Sequence, residues 1–128
     1  TKDSFADFGA EDQGGFLSIN EMGFGDNTFF NRSRLSLDLP EAVGITVNTI
    51  SGNAKTIDDR KSRWLAQTES MEGAAVFYVA TKQKINVIQV RSISNYVAPR
   101  DKGSWDIKLA IERLNTWAIE FLERATYF

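Results

Sequence analysis

Apolar side chains recur with a helical period near the end of the chain. From Asp106 to Tyr127 they follow the i, i+3, i+4, i+7 spacing that gathers them on one face of a helix, and charged residues occupy the other face. Ser104 or Asp106 can cap the start of this helix. The pattern therefore predicts one amphipathic helix, whose apolar face consists of Ile107, Ala110, Ile111, Leu114, Trp117, Ala118, Phe121, Leu122 and Ala125.

Two earlier runs of apolar and β-branched residues predict buried strands. They span Ala42–Ile50 and Ile85–Val90. Residues 67–71 predict a shorter extended stretch between them.

Two further helices are predicted in the middle of the chain. Residues 57–65 have the composition of a short polar helix, for which Thr56 or Asp58 can serve as N-cap. Residues 72–84 form a second helix, and apolar side chains around most of its circumference predict that it is buried. Gly73 at its start allows a close approach by another part of the molecule.

The order strand, helix, strand, helix predicts an α/β protein with right-handed βαβ crossovers and helices on the faces of a sheet. Residues 1–34 show no sustained period and are predicted to be mostly irregular, with aromatic side chains that pack against a core or a partner. Two parallel strands do not form a stable sheet alone, so additional strands must come from residues 1–34 or from outside this chain. Residues 94–105, with Pro99 and Gly103, predict a loop.

Composition excludes several classes of function. The 128 residues contain no Cys and no His, so Ser-His-Asp and Cys-His catalysis, disulfides and the usual zinc sites are absent from this chain. The net charge is −2, from 15 Lys and Arg against 17 Asp and Glu, with no basic stripe that would indicate nucleic-acid binding. Neither a signal peptide nor an apolar run long enough to cross a membrane is evident, and we expect a cytoplasmic protein.

Three polar residues lie where open α/β sheets bind ligands, beyond the carboxyl ends of strands. The carboxylate of Glu72, at a helix start, can accept hydrogen bonds from both hydroxyls of a cis-diol, or it only stabilises the helix dipole. Asn95 can offer a donor and an acceptor to a 6-oxopurine base, or it only bonds its own backbone in a turn. Arg91 interrupts an apolar run, so this cation is either functional or held in a structural salt bridge.

Two motifs in combination are more specific than any of these residues alone. They are Ser70-Met71-Glu72-Gly73-Ala74-Ala75 and Val90-Arg91-Ser92-Ile93-Ser94-Asn95. Together they resemble the ribose-binding and base-binding motifs of the purine nucleosidase and nucleoside phosphorylase family. Residues 94–101 and 105–107 are similar to the futalosine-cleaving branch of that family. The resemblance covers residues 40–125 and, loosely, residues 15–18.

The resemblance implies a fold and a place within it. Residues 1–128 are expected to be the carboxy-terminal portion of a single nucleoside phosphorylase-like domain, with the amino-terminal half absent. The whole domain would be a three-layer α/β/α fold with a mixed central sheet. The family's water-activating Glu lies in the other half, so these residues alone are expected to have little or no activity.

The resemblance also implies roles for the motif residues. Met71 packs on the ribose and Glu72 binds its hydroxyls. Arg91 helps to hold the attacking water or the acidic network around it. Ser94 supports Asn95, which stands where adenine-releasing relatives have an Asp that protonates the departing base. An Asn can only donate a hydrogen bond to that base, which suits hypoxanthine better than adenine.

Two weaker correspondences concern the edge of the pocket. The stretch Ser51-Gly52-Asn53-Ala54-Lys55-Thr56 matches a loop that lines the base in the family. Thr56 would bind the base through its backbone, while Lys55 replaces a residue that is often aromatic and stacks on the purine. Phe8 matches a residue that reaches into the neighbouring subunit's pocket, which implies a homo-oligomer.

The implied reaction is hydrolysis of the N-glycosidic bond of a purine nucleoside, namely futalosine, to hypoxanthine and dehypoxanthinyl futalosine in menaquinone biosynthesis. No metal or organic cofactor is implied, and Asn95, Glu72 and Arg91 are the expected catalytic residues. Three alternatives stay open at this point. They are a nucleosidase of the methylthioadenosine or adenosylhomocysteine type, a purine nucleoside phosphorylase, and an inactive fragment that acts as a binding or assembly module.

Overall fold

A four-stranded mixed sheet forms the centre of the computed structural model, which describes residues 1–99 and 102–125. The strands are β1 (Lys2–Phe5), β2 (Gly9–Asp12), β3 (Gly15–Ser18), β4 (Thr28–Phe30), β5 (Gly44–Thr46) and β6 (Thr68–Ser70). The helices are α1 (Ala54–Trp64), α2 (Gly73–Gln83) and α3 (Ile107–Ala125), and a single 3₁₀ turn covers Lys102–Ser104.

The order of strands in the sheet is β4-β1-β5-β6, and β2 and β3 form a separate hairpin. Strand β4 is antiparallel to β1, whereas β1, β5 and β6 are mutually parallel. The register places Asp3 opposite Gly44 and Thr46 opposite Ser70. Because the three parallel strands end at the same edge, the segments that follow them meet there.

Helices cover both faces of this sheet. On one face Phe29, Ala74 and Phe77 form a buried cluster, so this face packs against α2. On the other face Ile45 and Val47 pack with Trp64 at the end of α1. Successive residues of a strand point to opposite faces, which is why Ile45 and Thr46 belong to different layers. The predicted α/β class with a mixed sheet between helical layers is therefore confirmed.

Several predicted elements are confirmed with small shifts of their ends. The parallel pair β5 and β6 is joined by α1 in a βαβ unit, whose second strand is Thr68–Ser70 and not the strand predicted at Ile85–Val90. The extended stretch at 67–71 contains β6, and the helix at 72–84 is α2. The amphipathic helix is α3, and Asp106 caps it by accepting a hydrogen bond from Leu109 N at 3.0 Å. Tyr127, at the predicted end of this helix, lies outside the described residues.

The strand predicted at Ile85–Val90 is wrong. Within the described part of the chain, this segment forms no strand, and none of the paired strands includes it. Val87 instead packs against the cluster under α2, and Gln89 Nε2 donates to Gly73 O at 2.8 Å. An apolar run indicates a segment that lies on a core, but a strand also requires a hydrogen-bonded neighbour, which the run itself does not reveal.

The predicted strand at 42–50 is shorter than expected. Its paired core is Gly44–Thr46, and the chain then leaves the sheet because the amides of Asn48 and Thr49 donate to the Asp7 carboxylate. The backbone amides therefore find a side-chain acceptor instead of a neighbouring strand.

The predicted N-cap of the first helix is wrong. Helix α1 begins at Ala54, because the Asn53 side chain accepts a hydrogen bond from Thr56 N at 2.9 Å. Thr56 and Asp58 therefore lie inside the helix and do not cap it.

The predicted burial of α2 on all sides is also wrong. Only the side with Gly73, Ala74, Phe77 and Ala80 is buried, while apolar residues on the other side, such as Val79, are exposed. In the described part of the chain, this helix packs against one sheet face and is also contacted by Val87 and Gln89.

Residues 1–34 are more ordered than their sequence suggests. They contribute β1 and β4 to the sheet, together with the β2–β3 hairpin. Each strand has only three or four residues, which is too short to show a sustained period. Phe29 is buried in the core, as predicted, whereas Phe24 is exposed in this chain, so for Phe24 only the predicted packing against a partner stays open. Among the described residues, no helix is long and apolar enough to cross a membrane.

Candidate functional site

A buried hydrogen-bonded network joins the sheet to the start of α2. The carboxylate of Asp3, only 2% exposed, accepts hydrogen bonds from Arg91 Nη2 and from Thr46 Oγ1, each at 2.8 Å. The Thr46 hydroxyl in turn accepts the backbone N–H of Ala74 at 2.7 Å. Arg91 Nη2 also donates to Gln89 Oε1 at 2.8 Å. The network therefore connects β1, β5, α2 and the segment that contains the second motif.

Two glycines make room for this network. A Cβ atom on Gly73 would lie 1.7 Å from Arg91 Nη2 and 2.3 Å from Asp3 Oδ2. A Cβ atom on Gly44 would lie 2.5 Å from the same carboxylate oxygen. All three distances are far below van der Waals contact, so a larger residue at either position must displace the Asp3–Arg91 ion pair. The close approach predicted for Gly73 is confirmed.

Glu72 occupies the N-cap position of α2 without using its side chain as a cap. Ser70 Oγ accepts the N–H of Gly73 at 3.2 Å and Thr46 Oγ1 accepts that of Ala74, so other residues satisfy the first amides of the helix. Within the described residues, the Glu72 carboxylate accepts a single hydrogen bond, from Met71 N at 3.2 Å. Both Met71 and Glu72 are exposed at the carboxyl edge of the sheet.

Arg91 is held at one corner of its guanidinium. Its side chain is 27% exposed, and its hydrogen bonds to described residues all run through Nη2. A guanidinium carries five N–H donors, so Nη1 and Nε keep donors for a further acceptor. Of the two interpretations of Arg91, the salt bridge is present, to Asp3 at 2.8 Å; a functional role for its other donors stays a prediction.

Asn95 and Ser94 form a separate local unit. Ser94 Oγ donates to Asn95 Oδ1 at 2.7 Å, and Asn95 Nδ2 donates to Tyr96 O at 2.9 Å. One N–H of the Asn95 amide therefore remains available. In the described part of the chain, no hydrogen bond joins this unit to the Asp3–Arg91 network. An open cleft of about 350 Å³ adjoins Ser94, and its lining consists of Ser92, Ser94, Trp105, Ile107, Ala110, Ile111 and Leu114.

The three remaining sequence candidates lie farther along the same edge or on the hairpin side. Thr56 is in the first turn of α1, and its backbone N–H is already donated to Asn53. Lys55 is exposed beside Asp59, whose carboxylate hydrogen-bonds it and raises the pKa of the Lys55 ammonium. Phe8 is 52% exposed, with one edge-to-face contact to Phe5.

A second charged cluster at the carboxyl edge holds the loop after β5. Arg60 from α1 contacts the carboxylates of Asp7 at 3.1 Å and Glu69 at 3.6 Å, and it donates to Thr49 O at 2.7 Å. Glu69 also accepts hydrogen bonds from the amide and hydroxyl of Ser51 at 2.8 and 2.5 Å. These contacts fix the loop whose continuation carries Lys55 and Thr56.

Comparison with known proteins decides the family. Residues 31–126, more than half of the chain, match the family model described as Phosphorylase superfamily. The chain belongs to the phosphorylase superfamily. The match contains both motifs and all of α1, α2 and α3.

Three curated relatives of this phosphorylase-superfamily chain carry the name futalosine hydrolase. The protein of Streptomyces coelicolor is 34% identical over 116 residues, covering 85% of this chain and 49% of the relative. The protein of Acidothermus cellulolyticus is 32% identical, covering 85% and 50%, and that of Thermus thermophilus is 29% identical, covering 85% and 53%. This chain spans about half the length of the curated relatives it matches. No solved structure matches the chain.

Sequence patterns missed several residues that build this edge of the superfamily fold. Asp3 and Arg91 are 88 positions apart, and Arg60 and Asp7 are 53 apart, so no local pattern indicates either pair. The one available signal was the requirement that Arg91, as a cation in an apolar run, have a partner. Among the described residues, no group of three acidic side chains is arranged to hold a metal ion.

Proposed function

We propose that this chain is part of a nucleosidase that hydrolyses the N-glycosidic bond of futalosine, releasing hypoxanthine and dehypoxanthinyl futalosine. Similarity to three relatives named futalosine hydrolase, over 85% of the chain, is the observation that carries the proposal. The reaction would belong to menaquinone biosynthesis. The geometry around Glu72, Arg91 and Asn95 supplies groups suited to each part of a purine nucleoside.

Ribose recognition is assigned to Met71 and Glu72. The Glu72 carboxylate is exposed and is not consumed by capping α2, so its two oxygens are available for the 2′- and 3′-hydroxyls. The thioether side chain of Met71, 48% exposed, offers an apolar surface for the sugar ring.

Bond cleavage is assigned to Arg91 and Asn95 acting at opposite ends of the breaking bond. The bond from C1′ to the purine nitrogen breaks with both electrons passing to the base, while a water oxygen bonds to C1′ of an oxocarbenium-like sugar. The water gives one proton to the group that activates it, and the departing base takes up one proton from solvent. Arg91 holds that water, or an acidic group that activates it, through its free N–H donors. The remaining N–H of Asn95 donates to the base as negative charge develops, a type of contact whose removal costs about 100–1,000-fold in rate.

The position of this chain within the whole enzyme is also a proposal. We infer that residues 1–128 form the carboxy-terminal portion of one phosphorylase-like domain, and that the group activating the water lies outside them. The coverage of only 49–53% of each relative supports this inference. The exposed ring of Phe8 supports a homo-oligomer in which it contacts a neighbouring pocket.

Hypoxanthine release from futalosine tests the proposed function. The protein expressed from its complete reading frame is incubated with futalosine in phosphate-free buffer, and the base is quantified by chromatography. We expect hypoxanthine without phosphate, and little or none from residues 1–128 alone. Release only when phosphate is present would identify a phosphorylase instead. Adenine from methylthioadenosine, with no hypoxanthine from futalosine, would identify an adenine-releasing nucleosidase. No cleavage of any nucleoside would favour a binding or assembly module.

A further inference from the structure

We propose that Asp3 is a positioning residue that sets the geometry of both Arg91 and the start of α2. The inference rests on the proposed function, since it concerns how Arg91 and Glu72 are held for that reaction. Asp3 lies in β1, outside both sequence motifs, and it does not reach the exposed edge itself. Its effect on the reaction would pass entirely through its two partners.

The first partner is Arg91. The Asp3 carboxylate is 2% exposed and the Arg91 side chain is 27% exposed, so the ion pair has one buried end and one open end. A buried carboxylate without a partner is strongly unfavourable, which makes this contact a firm anchor for the guanidinium. Because Asp3 holds Nη2 from inside the fold, the other guanidinium donors face the more open side.

The second partner is Thr46, whose hydroxyl hydrogen-bonds both Asp3 and the first turn of α2. A hydroxyl has a single hydrogen to donate, and that of Thr46 is directed to Asp3 Oδ1. This orientation leaves the oxygen lone pairs of Thr46 to accept the N–H of Ala74. The amide of Ala74 is fixed in this way, two residues after Glu72, and the carboxylate of Glu72 stays free of any capping role.

The space around Asp3 is closed to other side chains. Its Oδ2 atom lies 2.3 Å from the Cβ position of Gly73 and 2.5 Å from that of Gly44. A longer acid at position 3 has no room to reach the same two partners. The arrangement therefore depends on this carboxylate between two glycines.

The substitution Asp3→Asn removes one of the two contacts with almost no change in the shape of the side chain. An amide offers one acceptor, so it can serve either Arg91 Nη2 or the Thr46 hydroxyl, but its NH₂ group meets the other donor. We expect kcat on futalosine to fall by about 10–100-fold, since a misplacement of roughly 1 Å at a reacting group costs up to 100-fold. The KM is expected to change by less than about threefold, because the carboxylate that binds the ribose is retained.

Glu21→Gln is the matched control. Glu21 also accepts hydrogen bonds from a serine hydroxyl and from an arginine, Ser18 and Arg63, but it lies beside the hairpin and outside the network. Removal of its charge breaks an ion pair of the same chemistry elsewhere in the fold. We expect wild-type kcat and KM for this variant. An equal loss of kcat in Asp3→Asn and Glu21→Gln would contradict a specific role of Asp3.

A double-variant comparison distinguishes positioning from a general structural role. If Asp3 acts through Arg91, Asp3→Asn should lower kcat much less in an Arg91→Lys background than in the wild type, because the anchored guanidinium is already gone. Independent contributions would multiply instead. Fully multiplicative losses would overturn the inference.

Amide hydrogen exchange tests the same geometry without any substrate. In Asp3→Asn we expect exchange about fivefold to tenfold faster in peptides covering residues 72–77, residues 87–92 or both, and no change in Glu21→Gln. Unchanged exchange in both peptides would overturn the inference. If the wild type cleaves no nucleoside, the proposed function fails, and the exchange result still decides the role of Asp3.

Discussion

At Gly73 the absence of a side chain leaves the space that Arg91 and Asp3 occupy. The contact between Asp3 Oδ2 and Arg91 Nη2 lies against this residue, at the point where α2 begins. Gly73 therefore makes room for the hydrogen-bonded network and does not stabilise the helix, since glycine lowers helix stability compared with alanine. A single methyl group at position 73 would therefore displace the Arg91–Asp3 pair on which the proposed reaction depends.

Gly73→Ala tests this dependence. We expect kcat/KM on futalosine to fall by about 100-fold, because the methyl group would lie 1.7 Å from Arg91 Nη2 and force the guanidinium away. Overpacking should also lower the free energy of unfolding by about 1–3 kcal/mol. Gly14→Ala is the control, as its Cβ would meet only Asp12 Oδ1 at 3.3 Å. Wild-type kinetics in Gly73→Ala would show that Arg91 does not need its present position.

The contribution of the Glu21 charge to the free energy of unfolding can be measured as a function of pH. Hydrogen bonds from the Ser18 backbone and hydroxyl, with Arg63 nearby, hold the pKa of the Glu21 carboxyl below its ordinary value of 4.5. A lowered folded-state pKa stabilises the fold above that ordinary value and the stabilisation is lost as pH falls through the folded pKa. Urea unfolding of wild type and Glu21→Gln should differ most near neutral pH and should converge only as the pH falls below 4.5 and through the lowered folded-state pKa.

The control for this pH series is Glu11→Gln, an exposed acid on the same hairpin. It should show little difference from wild type at any pH. A constant gap between Glu21→Gln and wild type from neutral to acid pH would mean that shape, rather than charge, explains the effect of the substitution.

At the scale of elements, sequence patterns predict those helices and strands whose formation depends mainly on residues close together in the chain. Helix α3 is predictable because its apolar positions repeat with the helical period, whereas α2 is predictable from its helix-forming composition and β6 lies within a short predicted extended stretch. The strand predicted at Ile85–Val90 is wrong, since strand formation depends on a partner that can be distant in sequence. The N-cap of α1 was misplaced because Asn53 lies in a Gly- and Ser-containing stretch that suggested only a loop. Hydrogen bonds to Asp7, 41 residues away, ended β5 early.

Asn53→Ala tests the cap that begins α1. The loss of the hydrogen bond to Thr56 N should reduce the free energy of unfolding by about 1 kcal/mol, measured by urea denaturation. Asn115→Ala is the matched control, because Asn115 lies on the exposed side of α3, where alanine favours the helix. This control should be neutral or slightly stabilising. Equal losses in both variants would argue against a capping role for Asn53.

At the scale of the whole molecule, the parallel strands bring distant residues to one edge. Glu72 follows β6, while the loop after β5 and the residue Asp7 after β1 lie beside it, held together by Arg60. The motif residues Glu72 and Arg91 could be selected from the sequence, because their resemblance to a family is local. Their supports, Asp3 and Thr46, could not, because these contacts exist only once the strands are aligned.

Ribose binding by Glu72 is tested most directly by comparing the rates at which wild type and Glu72→Gln release hypoxanthine from futalosine. The protein from the complete reading frame should release hypoxanthine without phosphate. Glu72→Gln should lower kcat/KM by at least about 100-fold, since hydrogen bonds to a charged group contribute about 1.5–3 kcal/mol each. Glu112→Gln, an exposed acid paired with Lys108 on α3, should keep the wild-type rate. Equal rates for wild type and Glu72→Gln would contradict ribose binding by Glu72.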